Sequence, residues 1–102
     1  MATLHTINKS PFERNALQSC IAHLSPGDVM LLIEDAVVGA RKNTSIAQSL
    51  GARQAGTRIC VLGPDLAARG VKLADLIDGV EIVDYRGFVD LASANDRVCS
   101  WL

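Results

Sequence analysis

Cysteines are the residues of this chain with the clearest capacity for covalent chemistry, and there are three of them: Cys20, Cys60 and Cys99. A cysteine thiolate is a nucleophile, a metal ligand and a partner in disulfide exchange. The three are far apart in the sequence, form no CxxC pair and belong to no Cys/His cluster with zinc-ligand spacing. The sequence therefore predicts free thiols, no bound metal and no cofactor.

The local sequence around each cysteine indicates its surroundings. Cys60 lies within the apolar, β-branched run 57–62, which favours an inert thiol in a buried strand. Cys99 has no basic or helix N-terminal environment to activate it, which favours a structural role. Cys20 falls in the middle of the apolar face of a predicted helix, so it is either a core thiol or a thiol facing a partner subunit. Both interpretations of Cys20 stay open.

The elements that position these cysteines alternate between strand and helix. Predicted strands cover 3–7, 29–33, 57–62 and 80–83, predicted helices cover 11–24, 44–54, 66–69 and 87–94, short helical turns cover 36–40 and 73–77, and the tail 98–102 is ambiguous. Such alternation predicts parallel strands joined by right-handed crossovers. We expect an α/β fold: one three-layer domain over residues 1–102, flavodoxin-like, with a mostly parallel sheet of four to five strands and helices on both faces.

The composition of the chain argues against some classes of binding partner. The chain has 102 residues, 49 % of them hydrophobic and 21 % charged, with a net charge of −1. No overall positive field exists to hold nucleic acid or an anionic membrane, so we expect no direct binding of either. No apolar run approaches the roughly 20 residues that cross a bilayer, and residues 1–10 lack a secretory pattern. We expect a cytoplasmic protein.

Polar residues outside the cysteines do not form a catalytic set. His5 lies inside the first predicted strand, where a hydrogen-bonded structural histidine is more common than a base. Glu34 and Asp35 end the second strand, and adjacent residues there point in different directions, which favours a capping role over acid–base catalysis. No nucleophile, base and orienting residue come together in the sequence.

A series of short patterns occurs in a definite order along nearly the whole chain. They are Leu4-His5-Thr6 with Lys9-Ser10-Pro11, Gly27-Asp28 before an apolar strand, Asp35 after it, the segment 65–70, the segment 83–89 and the terminal Trp101-Leu102. The ordered set resembles the DsrH/TusB family and is most similar to DsrH. The resemblance implies a DsrEFH-like fold.

The resemblance also implies a function. It implies one subunit of a cytoplasmic sulfur-relay complex that contains DsrE-like, DsrF-like and DsrH-like chains, two copies of each in a heterohexamer, and passes sulfur as cysteine persulfide. In one branch such complexes deliver sulfur to a DsrC-like carrier during oxidation of stored sulfur. In the other branch, with a TusE-like carrier, they serve 2-thiolation of the wobble uridine of tRNA. The principal sulfur-accepting cysteine of the family belongs to the DsrE-like subunit.

In the sequence, Cys20 is the residue that distinguishes these two branches. The resemblance implies that DsrH chains carry a cysteine on this helix, whereas tRNA-thiolating relatives commonly have an apolar residue there. We therefore predict Cys20 as the candidate persulfide carrier and sulfur oxidation as the process served. The alternatives are a TusB-like subunit for tRNA thiolation, or a non-catalytic scaffold subunit in either complex. In each case we expect no sulfur transfer by the isolated chain.

Overall fold

Five strands and four α-helices make up the fold in a computed structural model that describes residues 2–54 and 56–102. The strands are β1 (Thr3–Ile7), β2 (Val29–Leu32), β3 (Arg58–Leu62), β4 (Glu81–Val83) and β5 (Arg97–Trp101). The helices are α1 (Ala16–His23), α2 (Ala47–Arg53), α3 (Gly63–Ala68) and α4 (Tyr85–Ala94), and two 3₁₀ helices cover Glu34–Ala40 and Leu73–Asp75. Within the described ranges, no helix has the length and apolar character that a membrane crossing requires.

The sheet has the strand order β4-β3-β2-β1-β5, and every neighbouring pair is parallel. The chain moves in one direction from β1 to β4 and then returns across the sheet to place β5 beside β1. Right-handed crossovers put connecting helices on one face while the chain moves one way and on the other face when it reverses. The helix α4, in the returning connection, therefore lies alone on its face. The prediction of a parallel α/β sheet with helices on both faces is confirmed.

Side chains alternate between two buried clusters, one on each face of the sheet. The first face, under α1, α2, α3 and the 3₁₀ helix Glu34–Ala40, buries Ile7, Met30 and Val61. The second face, under α4, buries Leu4 and Leu31 among a smaller set of residues. Successive residues of a strand point to opposite faces, so β2, which is apolar and buried at all four positions, contributes side chains to both clusters. The face of a residue therefore follows from its place in the strand.

Several predicted boundaries differ from the structure. The helices predicted over 44–54 and 66–69 cover Ala47–Arg53 and Gly63–Ala68, and the largest difference is at the start of α1. The sequence predicts that the first helix begins at residue 11, but it begins at Ala16, because Pro11 and the following residues form a separate turn. The Ser10 hydroxyl accepts a hydrogen bond from the Phe12 backbone N–H at 3.2 Å and so caps that turn rather than α1. The ambiguous tail becomes β5, which pairs with all five residues of β1. The fifth strand depends on that long-range pairing.

Candidate functional site

Cys20 lies on α1 with its side chain in the core. The residue has 0 % of its surface exposed and belongs to the cluster that includes Leu17 and Met30. The apolar face of α1 packs against the sheet. Cys20 therefore occupies the core position, which is one of the two interpretations that its helical periodicity left open. The structure therefore places the predicted persulfide carrier away from solvent.

Burial also makes Cys20 a poor thiolate. Desolvation by the surrounding apolar side chains, with smaller contributions from the charges of Cys99 and Asp28, raises the pKa of Cys20 to about 12. At pH 7 roughly one such thiol in a hundred thousand is ionised, and the thiolate is the form that attacks a donor sulfur. Cys20 in this conformation has neither the access nor the charge state that sulfur transfer requires.

Cys60 has the same properties on the opposite face of the sheet. It lies in β3, has no exposed surface and packs with Leu4 and Leu31 under α4. Burial is the main cause that raises the pKa of Cys60 to about 11, with a further contribution from the charge of Glu81. The interpretation of Cys60 as an inert core thiol agrees with this position. The sheet itself separates Cys60 from Cys20.

Cys99 is the exposed cysteine among the three. It lies on β5, which is an edge strand of the sheet, and its position in the strand register is opposite His5 of β1. Strand alternation puts Cys99 on the same face as His5 and Trp101, the face that α1 covers. Cys20 and Cys99 therefore lie on the same side of the sheet.

A largely buried hydrogen-bond network joins β1 to β5 and to Asp28, the residue that precedes β2. The Trp101 indole Nε1–H donates to His5 Nδ1 at 3.0 Å, and His5 Nε2 lies 2.9 Å from Asp28 Oδ2. His5 is 6 % exposed and Asp28 4 % exposed, so both groups are removed from water. The ring of His23 on α1 packs against Trp101 with 5.6 Å between ring centroids. The network fastens β5 and α1 to the centre of the sheet.

The donors and acceptors of the network define the protonation of His5. An indole N–H only donates, so Nδ1 of His5 must accept and carries no proton. The proton is therefore on Nε2, which donates to the Asp28 carboxylate, and the imidazole is neutral. Both ring nitrogens are occupied, and neither is free to take a proton from the Cys99 thiol. His5 is a structural residue here, as its position inside a strand indicated.

Asp28 is held as a carboxylate by the donors that surround it. Burial by itself raises the pKa of Asp28, but hydrogen bonds from Ser25 N–H, from His5 and from Thr3 N–H outweigh it and lower the pKa below the ordinary 3.8. The Ser25 and Thr3 bonds are each 3.0 Å long. In the sequence, Gly27-Asp28 and the terminal tryptophan belong only to the ordered series of short patterns. Their contact with each other through His5 is a tertiary feature.

The carboxylates at the carboxyl ends of the strands have structural partners. Asp65 accepts a hydrogen bond from the Glu34 backbone N–H at 2.6 Å, and Glu34 has a left-handed φ of 50°. Asp35 pairs with the Arg69 guanidinium, whose Nε and Nη2 both donate to its Oδ1 at 3.0 and 2.9 Å. Asp84 caps α4 by accepting from Gly87 N–H. These contacts hold loops in place and leave no carboxylate pair arranged for acid–base catalysis.

The part of the chain that the structure describes contains no candidate metal site. No group of three or more histidine, cysteine, aspartate or glutamate side chains there has the spacing of a metal site.

Comparison with known sequences gives matches along almost the entire chain. The family described as "DsrH like protein" matches residues 9–98. Protein TusB of Erwinia tasmaniensis is 35 % identical over 98 residues, which is 96 % of this chain and 99 % of that protein. Protein TusB of Escherichia coli strain K12 is 31 % identical over 98 residues, with the same two coverages.

Comparison with solved structures gives the same fold at lower sequence identity. The ychN protein of E. coli superimposes with a TM-score of 0.79 at 22 % identity and covers 98 % of this chain and 99 % of its own. Protein MTH1491 of Methanobacterium thermoautotrophicum, described as a protein of unknown function, gives a TM-score of 0.76 at 18 % identity, with 97 % of each chain covered. At these identities the two structures support the fold alone.

Proposed function

This chain belongs to the DsrH/TusB family of sulfur-relay subunits, and from that premise we propose that it is the TusB-type subunit of a relay for 2-thiolation of the wobble uridine of tRNA. One observation carries the proposal: TusB proteins match at 30 to 35 % identity over 96 % of the chain. This choice differs from the sulfur-oxidation branch that Cys20 favoured in the sequence.

Within the complex we assign this chain a scaffold role. Cys20 and Cys60 are fully buried with raised pKa values, and His5 uses both ring nitrogens in the core. A relay subunit with such thiols contributes a folded surface to its partners, while the sulfur travels on a cysteine of a DsrE-like subunit and on a TusE-like carrier. DsrE-like and DsrF-like chains are the proposed partners, in two copies each, and the cytoplasm is the proposed compartment.

The second candidate is the DsrH role in sulfur oxidation, with Cys20 as persulfide carrier and a DsrC-like protein as acceptor. The observation that favours it is the presence of a cysteine on α1, where the family resemblance implies an apolar residue in the tRNA-thiolating branch. It requires α1 to move away from the sheet, because Cys20 is enclosed by the core in the described conformation. The carrier role of Cys20 stays a prediction.

Complementation tests the choice between branches. A bacterium that lacks its own TusB-type subunit is given this chain together with DsrE-like and DsrF-like chains from the same source, and 2-thiouridine in its tRNA is measured by mass spectrometry. We expect thiolation to return. If the three chains form a stable complex and tRNA remains unthiolated, the proposal is wrong; sulfur transfer from that complex to a DsrC-like carrier would then support the second candidate.

The role of Cys20 is tested in the same reconstituted complex with Cys20→Ala. The scaffold role predicts that sulfur passage per assembled complex is unchanged, since alanine keeps the site apolar. Cys60→Ala is the matched control, because it removes an equally buried thiol on the other face of the sheet. A loss of transfer with Cys20→Ala but not with Cys60→Ala, at equal amounts of complex, would establish Cys20 as a carrier.

A further inference from the structure

A cavity of about 680 Å³ opens beside the 3₁₀ helix Glu34–Ala40, away from the three cysteines. Its walls combine one aromatic ring, small apolar groups, two cations and polar side chains. The lining residues are Phe12, Val38, Arg41, Lys42, Asn43, Thr44, Ala74 and Asp75. None of these residues takes part in the network of His5, and none has a role in the proposed scaffold function.

The backbone that carries the two cations is held in place on both sides. Arg41 forms an antiparallel bridge with Leu76, and Lys42 N–H donates to the Asp75 carbonyl at 2.7 Å. Ile77 N–H donates to the Ala40 carbonyl at 2.9 Å, which extends the same pairing. Arg41 and Lys42 therefore project from a fixed segment, and a ligand that binds them does not have to order the loop first.

The charges in the cavity are positive in sum. Within residues 2–54 and 56–102, neither Arg41 nor Lys42 forms an ion pair with a carboxylate. Asp75 is the one acidic residue of the lining, and its Oδ2 already accepts a hydrogen bond from Lys72 N–H at 3.2 Å. The overall charge of the chain is −1, so this local excess of positive charge contrasts with the rest of the molecule.

An exposed aromatic ring forms another part of the cavity wall. Phe12 has 55 % of its surface exposed, which is unusual for the largest apolar side chains. The Ser10 hydroxyl holds this turn by its hydrogen bond to the Phe12 N–H. Pro11 packs closely against Gly39, since a Cβ atom added to Gly39 would lie only 3.1 Å from Pro11 Cγ. The ring is thus presented on a supported turn. Exposed aromatic rings beside arginine are typical of protein-binding surfaces.

We propose that this cavity binds an acidic segment of a partner protein, with Arg41 and Lys42 pairing with its carboxylates and Phe12 packing against an apolar side chain of the same segment. Charge complementarity selects an anionic occupant, and the apolar wall selects one with apolar groups between its charges. A nucleic acid fits less well, because affinity for it grows with the number of neutralised phosphates and this cavity offers two cations. The proposal is independent of which acceptor the relay serves.

The test uses the full chain and a short synthetic peptide in which glutamate alternates with phenylalanine. Binding is followed by amide chemical shifts in NMR and by calorimetry. We expect the amides of residues 41–44 to shift and the affinity to fall as ionic strength rises. The double variant Arg41→Glu with Lys42→Glu should weaken binding by about ten-fold or more, and Phe12→Ala should weaken it several-fold.

Arg86→Glu is the matched control, since it reverses an exposed charge on α4, on the other face of the sheet. It should leave the affinity within about two-fold of the wild type. A milder pair, Arg41→Gln with Lys42→Gln, should also weaken the peptide, which keeps the test informative if the charge reversal disturbs the fold. Circular dichroism establishes that each variant is folded.

Three results would overturn the proposal. The first is no binding of the peptide to the folded wild-type chain at millimolar concentration. The second is an equal loss of affinity with Arg86→Glu, which would mean non-specific attraction. The third is tighter binding of an oligouridylate than of the peptide, lost in the same double variant, which would assign the cavity to RNA.

Discussion

The substitution Asp28→Asn is predicted to destabilise the fold strongly while keeping the shape of the side chain. The carboxylate accepts three hydrogen bonds, from the backbone N–H groups of Thr3 and Ser25 and from His5. An asparagine amide that keeps its oxygen toward Ser25 and His5 turns its NH₂ group toward the Thr3 N–H. Two donors then face each other in a buried position.

The size of the effect follows from these contacts. A hydrogen bond to a charged acceptor contributes about 1.5–3 kcal/mol against about 1 kcal/mol for a neutral pair, and an unsatisfied buried donor costs about 1–3 kcal/mol. Two weakened bonds and one unpaired donor give a loss of about 3–5 kcal/mol in the free energy of unfolding. For a domain of this size that corresponds to a fall in Tm of at least about 12 °C.

The pH dependence of the free energy of unfolding shows whether the charge of the Asp28 carboxylate, and not only the packing of its side chain, stabilises the fold. Because the folded-state pKa of Asp28 lies below its ordinary 3.8, its contribution to stability is present above that value and is lost as the pH falls through the folded pKa. The wild type should therefore lose stability below about pH 4, and Asp28→Asn should lack that part of the decline.

Urea unfolding followed by circular dichroism, from pH 7 to pH 3, measures both quantities. Asp90→Asn, which neutralises an exposed carboxylate on α4, is the control and should change the free energy of unfolding by less than about 0.5 kcal/mol. A loss below about 1 kcal/mol for Asp28→Asn at pH 7 would refute the assignment of the network as the anchor of the last strand.

Further predictions concern the thiols and the terminal tryptophan. In the native protein an alkylating reagent should modify Cys99 alone, and denaturant should expose Cys20 and Cys60 as well; intact-mass measurement counts the labels, and rapid native labelling of Cys20 would contradict its burial. Cys20→Ser should cost about 1–3 kcal/mol more than Cys20→Ala in urea unfolding, because a hydroxyl in the core lacks a partner. Trp101→Phe should cost about 1–2 kcal/mol and accelerate amide exchange in β5, since it removes the donor to His5; unchanged exchange would argue that β5 is held by backbone pairing alone.

Local sequence patterns determined most of the architecture. The strand Thr3–Ile7 has the predicted limits, and the apolar run from Val29 is a central strand that is buried on both faces. The reason is physical: a strand covered on both sides is mostly apolar, and that property is visible in a short window of sequence. The same holds for Cys60, whose burial follows from the β-branched and apolar residues around it.

Tertiary structure alone decided the features that depend on distant residues. The run Arg97–Trp101 is largely exposed and has no clear strand pattern, so it becomes β5 only because β1 offers a free edge. Periodicity put Cys20 on the apolar face of α1 but did not determine whether a sheet or another subunit covers that face. His5 receives its partners from 23 and 96 residues away. Contacts at such separations depend on how the chain folds back on itself, which no local window of sequence contains.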